Sequence, residues 1–227
     1  MTFRIKIISP IQVDEADLQR RQVRYGRQVG PDTQIEVFNL GKGPKALSTP
    51  GDVLFSAYAV FQEGVRTRPD DFDAILVDCA LDPAIDVIQE HSGLPTFGAT
   101  RTTLPLIPLV ARNFSIVARV ERQCRMLADL VKQYGYGDYL VSTRALGITY
   151  PQAKQPDVFN EVMCRQLRCV IEQDGARAVM MGSTTMALSD EIVAAADGTP
   201  LFLPGMVAVR VMEMMWSQGL LVQPGAL

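Results

Sequence analysis

The sequence is poor in the residues that build metal centres and disulfide frameworks: one histidine, His91, and four cysteines, Cys79, Cys124, Cys164 and Cys169, in 227 residues. Four cysteines and a lone histidine leave no metal-ligand array, so no metal is expected. Charge of one sign is also missing. Lys and Arg number 22 against 25 Asp and Glu, a net charge of −3, whereas a surface for nucleic acid needs a basic excess. No apolar run reaches the roughly 18 to 20 residues of a membrane span, and Met1–Ile8 lacks the apolar core and cleavage site of a signal peptide. These absences point to a cytoplasmic protein with free thiols, no nucleic-acid partner and no membrane. Its chemistry must come from thiols, hydroxyls, carboxylates or backbone dipoles. What is present, 48% apolar and 21% charged residues, is enough to bury a core.

The length is too great for one minimal core and too small for two full-sized domains. Internal repetition resolves this. Phe72–Ile88 (FDAILVDCALDPAIDVI) aligns without gaps on Ala176–Ile192 (ARAVMMGSTTMALSDEI), placing Ala74 on Ala178, Cys79 on Ser183 and Asp86 on Asp190, an offset of 104. Gly93–Phe97 (GLPTF) matches Gly198–Phe202 (GTPLF) at an offset of 105, and Phe3–Ser9 resembles Phe114–Val120 at 111. One unit occurs twice.

Within each unit, short β-branched runs alternate with helical patterns. The first unit is read as strands Ile5–Ile8, Ile35–Phe38, Ala74–Val77 and Thr96–Phe97, with helices Asp14–Val29, Leu54–Glu63 and Pro83–His91. The second is read as strands Phe114–Val117, Tyr139–Ser142, Ala178–Met181 and Leu201–Phe202, with helices Glu121–Tyr134, Pro156–Asp174 and Ser189–Ala196, before a last helix over Val207–Ser217. Strands separated by helices imply an α/β fold of two pseudo-symmetric lobes, each a short parallel sheet flanked by helices, flavodoxin- or Rossmann-like. Lobe one is expected over 1–97 plus 206–227 and lobe two over 98–205. An active-site cleft is expected between them, at the carboxyl ends of the strands.

Cys79 directly follows the third strand, and Asp82-Pro83 has the pattern of an N-cap and first helical residue. A helix N-terminus beneath the thiol would draw its pKa below about 8.5; the alternative is a small buried hydrophobe. Ser183 takes the same place in unit two, between Gly182 and the threonines Thr184 and Thr185. That turn either offers N–H and O–H donors to an anion or caps the next helix.

Five stretches, in order along the chain, resemble the aspartate/glutamate/hydantoin racemase superfamily, and most closely its hydantoin and allantoin racemase branch. They are Gly41–Leu47 (GKGPKAL), Asp73–Pro83 (DAILVDCALDP), Phe114–Arg119 (FSIVAR), Val141–Gly147 (VSTRALG) and Val179–Met186 (VMMGSTTM). The resemblance implies a cofactor-independent enzyme in which two thiols face each other, one removing a proton from a carbon beside a carbonyl or carboxylate and the other returning one. By the same resemblance Cys79 matches the first thiol. The N–H groups of Ala80 and Thr184 lie where the family binds substrate oxygens, and Ser9, Pro10 and Gly182 fall at substrate-contacting positions.

The chain departs from that pattern. Ser183 stands where the second cysteine is carried, and a hydroxyl is no base near neutral pH without an activating partner. Pro10-Ile11-Gln12 replaces Pro-Asn-Thr, Ala118-Arg119 replaces a polar pair, and Arg101 replaces an acidic residue. Arg101, Arg119 and Arg144 are therefore candidates to grip an anion. Three readings follow. The first is a single-thiol racemase or isomerase acting on a small carboxylate or imide, with Ser183 binding substrate or relaying a proton. The second is a decarboxylase of a malonate-like acid, because the wider superfamily includes arylmalonate decarboxylases with one catalytic thiol. Theirs lies in the second lobe, so a thiol in the first predicts a product of opposite hand. The third is a binding protein without catalysis.

Remaining features read as structural. His91 suits a helix C-terminus, Cys164 and Cys169 read as filling, and the basic stretch around Cys124 could lower its pKa. The cluster Met206, Met212, Met214, Met215 and Trp216 reads as core or subunit interface. The apolar last helix and the resemblance both imply a homo-oligomer.

Overall fold

A computed structural model describes residues 2–221 except Ser48 and Tyr150. The end of lobe one as expected from the sequence, residues 222–227, lies outside the described residues. The chain divides into two compact units, Met1–Thr102 with Gly205–Leu227, and Thr103–Pro204.

Unit one runs β1 (Phe3–Ile8), α1 (Glu15–Gly26), β2 (Thr33–Phe38), α2 (Pro50–Gly64), β3 (Ala74–Val77), α3 (Ile85–Ser92), β4 (Thr96–Gly98) and α4 (Ala99–Thr103). Unit two runs β5 (Phe114–Ala118), α5 (Glu121–Gln133), β6 (Leu140–Ala145), α6 (Pro156–Arg168), β7 (Val179–Met181), α7 (Asp190–Ala195) and β8 (Leu201–Phe202), and α8 (Pro204–Ser217) follows. The first sheet has the order β2-β1-β3-β4 and the second β6-β5-β7-β8, all pairs parallel. The repeat read from the sequence is thus a repeat of topology. In each sheet the order reverses between the first and third strands of the unit, the point at which open α/β sheets place ligands beyond the strand ends.

One central strand of each sheet is buried on both faces, which is why it reads as a continuous apolar run: Ala74–Val77 and Val179–Met181 are inaccessible throughout. Around the first sheet, Ile8, Leu40, Val60, Ile75, Val77, Ile85 and Ile88 form one core cluster. Around the second, Val117, Met163, Leu167, Val179, Met181 and Ile192 form another. Helix α8 belongs to unit one, where Trp216 stacks on Phe3 at 4.7 Å and Glu213 accepts from the Gly30 N–H and the Thr33 hydroxyl. Met206 and Met212 are buried, but Met214 is exposed.

Element boundaries differ from the sequence reading where side chains, rather than periodicity, set them. Helix α2 starts at Pro50, not Leu54, because Thr49 and Asp52 form a capping box ahead of the apolar stretch. Helix α1 ends at Gly26, three residues before Val29. The α-helix from Pro156 stops at Arg168 and widens into a π turn over Cys169–Gln173. Helix α4 and the 3-10 turn Leu104–Leu109 after it carry no apolar periodicity and were not expected.

The largest correction concerns α3. It begins at Ile85 rather than Pro83, and its N-cap position is Ala84 in the left-handed conformation at φ 62° with no side-chain cap. Asp82, read as the cap, is itself left-handed at φ 47°. Its carboxylate accepts instead from the Thr100 N–H at 3.0 Å and the Arg101 N–H at 2.6 Å, at the start of α4.

Candidate active site

Cys79 lies two residues beyond the end of β3, and Ser183 two residues beyond the end of β7. The register confirms the correspondence, because Val77 pairs with Ile8 on β1 just as Met181 pairs with Val117 on β5. Each residue therefore takes the same position at the switch point of its own sheet.

In unit one the Cys79 turn is tightly tied. The Asp78 N–H donates to the Ile8 carbonyl at 2.9 Å, the Cys79 N–H to Val77 at 2.8 Å, and the Asp82 N–H to the Cys79 carbonyl at 3.2 Å. The Leu81 N–H reaches Cys79 Sγ at 3.4 Å. The thiol is 5% exposed and packs against the core cluster of its sheet. Burial pushes its pKa up to about 12; the Leu81 N–H opposes the rise, Asp82 and Asp78 add to it, and Arg21 opposes it again. The expected lowering by a helix N-terminus does not occur, because two left-handed residues separate the turn from α3. At neutral pH the group rests as a thiol.

The Ala80 carbonyl accepts the Thr100 hydroxyl at 2.7 Å. No partner for the Ala80 N–H occurs among the described residues, so this donor stays open beside the thiol. Ser9, at the end of β1, is fully buried and donates its hydroxyl to the Ile11 carbonyl at 2.8 Å. Pro10 is buried too, and its carbonyl accepts from Ser56 at 2.6 Å. These two shape the rim of the turn with backbone rather than with free side chains.

In unit two, Gly182 is dictated by close packing: a Cβ there would lie 2.6 Å from Ala118 Cβ and 2.9 Å from Leu127 Cδ1. Its N–H donates to Val117 at 2.8 Å. Ser183 is half-buried, with its hydroxyl 2.9 Å from that of Thr185 and no basic group bonded to it among the described residues. Thr184 is buried. Ser183 is thus a hydrogen-bonding group rather than an activated one.

The arginines divide. The Arg144 guanidinium is held by Asp174 through two bonds of 2.7 and 2.6 Å, which keep that carboxyl below its usual range; it is a structural pair, not an open grip. Arg101 pairs with Asp86 of α3 at the surface. Arg119 is half-buried immediately after β5, and its carbonyl accepts from the Gly147 N–H at 3.0 Å.

Cys124 is fully buried in α5, and burial raises its pKa, against the lowering expected from its basic neighbours. Cys164 is half-buried with Sγ 3.6 Å from the Glu191 carbonyl, and Cys169 is half-buried. His91 sits in the last turn of α3 with Nδ1 2.8 Å from the Val87 carbonyl and its ring edge-on to Phe61. Among the described residues no cluster of His, Cys, Asp or Glu could hold a metal ion, and no helix is long and apolar enough to cross a membrane.

Sequence reasoning missed the three buried polar groups behind the thiol. Asp78, 2% exposed, accepts from the Tyr25 hydroxyl at 2.5 Å and from Arg21 Nη1 at 2.6 Å; Arg21 Nε also reaches Asp17 at 3.3 Å. The available signal was the spacing Asp17, Arg21, Tyr25, a polar stripe every four residues on the face of α1 that should meet the sheet.

Comparison with known proteins gives a consistent picture. The Asp/Glu/Hydantoin racemase family profile matches residues 16–212. A hydantoin racemase of Paenarthrobacter aurescens is 27% identical over 230 residues, covering 96% of this chain and 92% of its own length. Among solved structures, an allantoin racemase from Klebsiella pneumoniae superimposes with a TM-score of 0.88 at 20% identity, covering 99% of this chain and 92% of that one. A liganded variant of arylmalonate decarboxylase, with cysteine in place of a glycine and serine in place of a cysteine, gives 0.65 at 16% identity, covering 93% and 92%.

Proposed function

The chain belongs to the Asp/Glu/hydantoin racemase family, as a racemase-type enzyme acting on a small molecule, and from that premise we propose that Cys79 carries the proton in its reaction. The reacting centre is a carbon next to a carbonyl or carboxylate of a small carboxylate or imide, and no cofactor takes part. The observation that supports this best is the placement of Cys79 at the switch point of its sheet, two residues past β3, beside the open Ala80 N–H. That N–H would bond the oxygen on which charge develops as the carbon loses its proton, a stabilisation that a weak carbon acid requires. The Gly182-Ser183-Thr184 turn takes the matching place in unit two. We assign it the role of holding the substrate and passing a proton through water. Four free thiols support a cytoplasmic setting. The exposed α2 residues Leu54, Phe55 and Tyr58 support a homo-oligomer.

A second reading is favoured by the burial that pushes the Cys79 pKa up to about 12 and so keeps the proton on the sulfur, and by the Ser183 hydroxyl, to which no basic group is bonded among the described residues. In a decarboxylase, carbon dioxide departs with no base needed, its bonding electrons remain on the enolate, and the thiol gives that carbon one proton, to be recharged from water. The pH profile separates the two. If Cys79 acts as a base, only the thiolate is active and turnover rises about tenfold per pH unit until the thiol titrates near 12. If Cys79 acts as an acid, turnover is flat through neutrality and falls only as pH approaches that value.

The deciding experiment incubates single enantiomers of a 5-substituted hydantoin and of allantoin, and separately an arylmalonate, with the enzyme and follows optical rotation and carbon dioxide release. Racemisation of either of the first two supports the principal reading, and carbon dioxide from the malonate supports the second. Tight binding without conversion of any would place the chain among non-catalytic homologues. Ser183→Ala is expected to lower turnover by about tenfold, the scale of one neutral hydrogen bond lost from a bound substrate, and less than any change at Cys79; steady-state kinetics of both variants checks the ranking.

A further inference from the structure

We propose that Arg21, Tyr25 and Asp78 are positioning residues for Cys79: α1 reaches across to the end of β3, grips Asp78, and through it fixes the thiol and the charge around it. This rests on the assignment of Cys79 as the proton carrier. The contacts are those of a closed buried network, with the Asp78 carboxylate taking the Tyr25 hydroxyl on one oxygen and the Arg21 guanidinium on the other. All three residues are at least 95% buried. Asp78 and Cys79 are consecutive, so a displacement of the carboxylate by an ångström is passed on to the sulfur.

The repeat supplies the argument that the fold itself does not need this network. With the strand ends in register, Asp78 corresponds to Gly182. With the first residues of α1 and α5, Glu15 and Glu121, in register, Arg21 corresponds to Leu127 and Tyr25 to Val131. Leu127 and Val131 are both inaccessible, and Leu127 touches Gly182 as Arg21 touches Asp78. The same architecture is therefore built twice, once around an ion pair and a phenol, once around Leu, Val and Gly. Apolar filling of such a place is as stable as a buried ion pair or more so. The polar version occurs in the unit that bears the thiol. The groups bearing on Cys79 are Asp78 at the strand end, Asp82 and the Leu81 N–H in the turn, and Arg21 from α1. Asp78 and Asp82 hold the proton on the sulfur and Arg21 counteracts them, so the network sets how readily the thiol gives its proton up.

The test uses the full chain as Asp78→Asn, Tyr25→Phe and the triple variant Arg21→Leu/Tyr25→Val/Asp78→Gly, which copies unit two into unit one. Two readouts are taken: peptide-resolved alkylation of Cys79 by iodoacetamide from about pH 7 to about pH 12, with Cys164 as internal reference, and deuterium exchange into a 5-substituted hydantoin and allantoin. All three variants should unfold as cooperatively as the wild type measured beside them. In Asp78→Asn, which removes a negative charge and leaves Arg21 less compensated, the Cys79 alkylation midpoint should fall by about one pH unit, tenfold in thiolate population, with Cys164 unmoved. Exchange should drop at least about tenfold in kcat with little change in KM for Tyr25→Phe and the triple variant, whereas in Asp78→Asn the larger thiolate fraction offsets part of that loss. Folded variants with the wild-type alkylation profile and exchange rate would overturn the proposal, as would failure of the triple variant to fold, since apolar filling would then not serve unit one. Cys79→Ala is run in parallel: if it exchanges like the wild type, the assignment of Cys79 fails, while the alkylation profiles still decide whether the network governs the thiol.

Discussion

Cys79→Ala is expected to lower turnover by about 10²- to 10⁴-fold, the range supplied by a positioned acid or base, with substrate affinity changed far less. The reasoning is local. Ala takes the same small buried space among the unit-one core, keeps the backbone–backbone bonds of the turn, and removes the sulfur with its contact to the Leu81 N–H. Cys79→Ser should be nearly as impaired, because a hydroxyl is far less acidic than a thiol. Steady-state kinetics of the two variants, with circular dichroism to verify folding, measures this. A fall in KM-dependent terms alone would mean that the thiol only lines the pocket.

Gly98→Ala is expected to lower both stability and turnover. A Cβ at Gly98 would lie 2.5 Å from Asp82 Cγ and 2.7 Å from both carboxylate oxygens. It must therefore expel the carboxylate from its two N–H donors on Thr100 and Arg101. Overpacking and the loss of charged hydrogen bonds each cost about 1–3 kcal/mol. Asp82 also donates its N–H to the Cys79 carbonyl, so the thiol turn should shift with it. Denaturant titration should show a loss of about 3 kcal/mol together with at least tenfold lower turnover. A variant as stable and active as the wild type would mean that Asp82 is free to leave its place without consequence.

The alternation of strands and helices was legible because buried parallel strands are short, apolar and β-branched, as in Ala74–Val77 and Val179–Met181. The duplication was legible because those strands and the turns after them survive in both halves. Boundaries set by single side chains were not: the Thr49 capping box moved α2 four residues earlier than its periodicity shows. The site was half legible. Placement of Cys79 and Ser183 after equivalent strands followed from the repeat, but the state of the thiol did not. Asp82-Pro83 has the pattern of a helix start, yet tertiary contacts send the Asp82 carboxylate to Thr100 and Arg101. The helix dipole was thereby removed from the thiol and burial left as the dominant influence. Nor could Arg144 be told from a substrate grip until Asp174, thirty residues away, was found to hold it. Such pairings join residues distant in sequence and leave no local pattern.

The most direct test of the account is proton NMR in deuterated water, with wild type and Cys79→Ala side by side on a 5-substituted hydantoin and on allantoin. The account predicts that the signal of the hydrogen on the reacting carbon disappears with wild type as deuterium enters. With Cys79→Ala it should persist, apart from the spontaneous rate. Equal exchange in both proteins, or conversion that needs Ser183 and not Cys79, would contradict it.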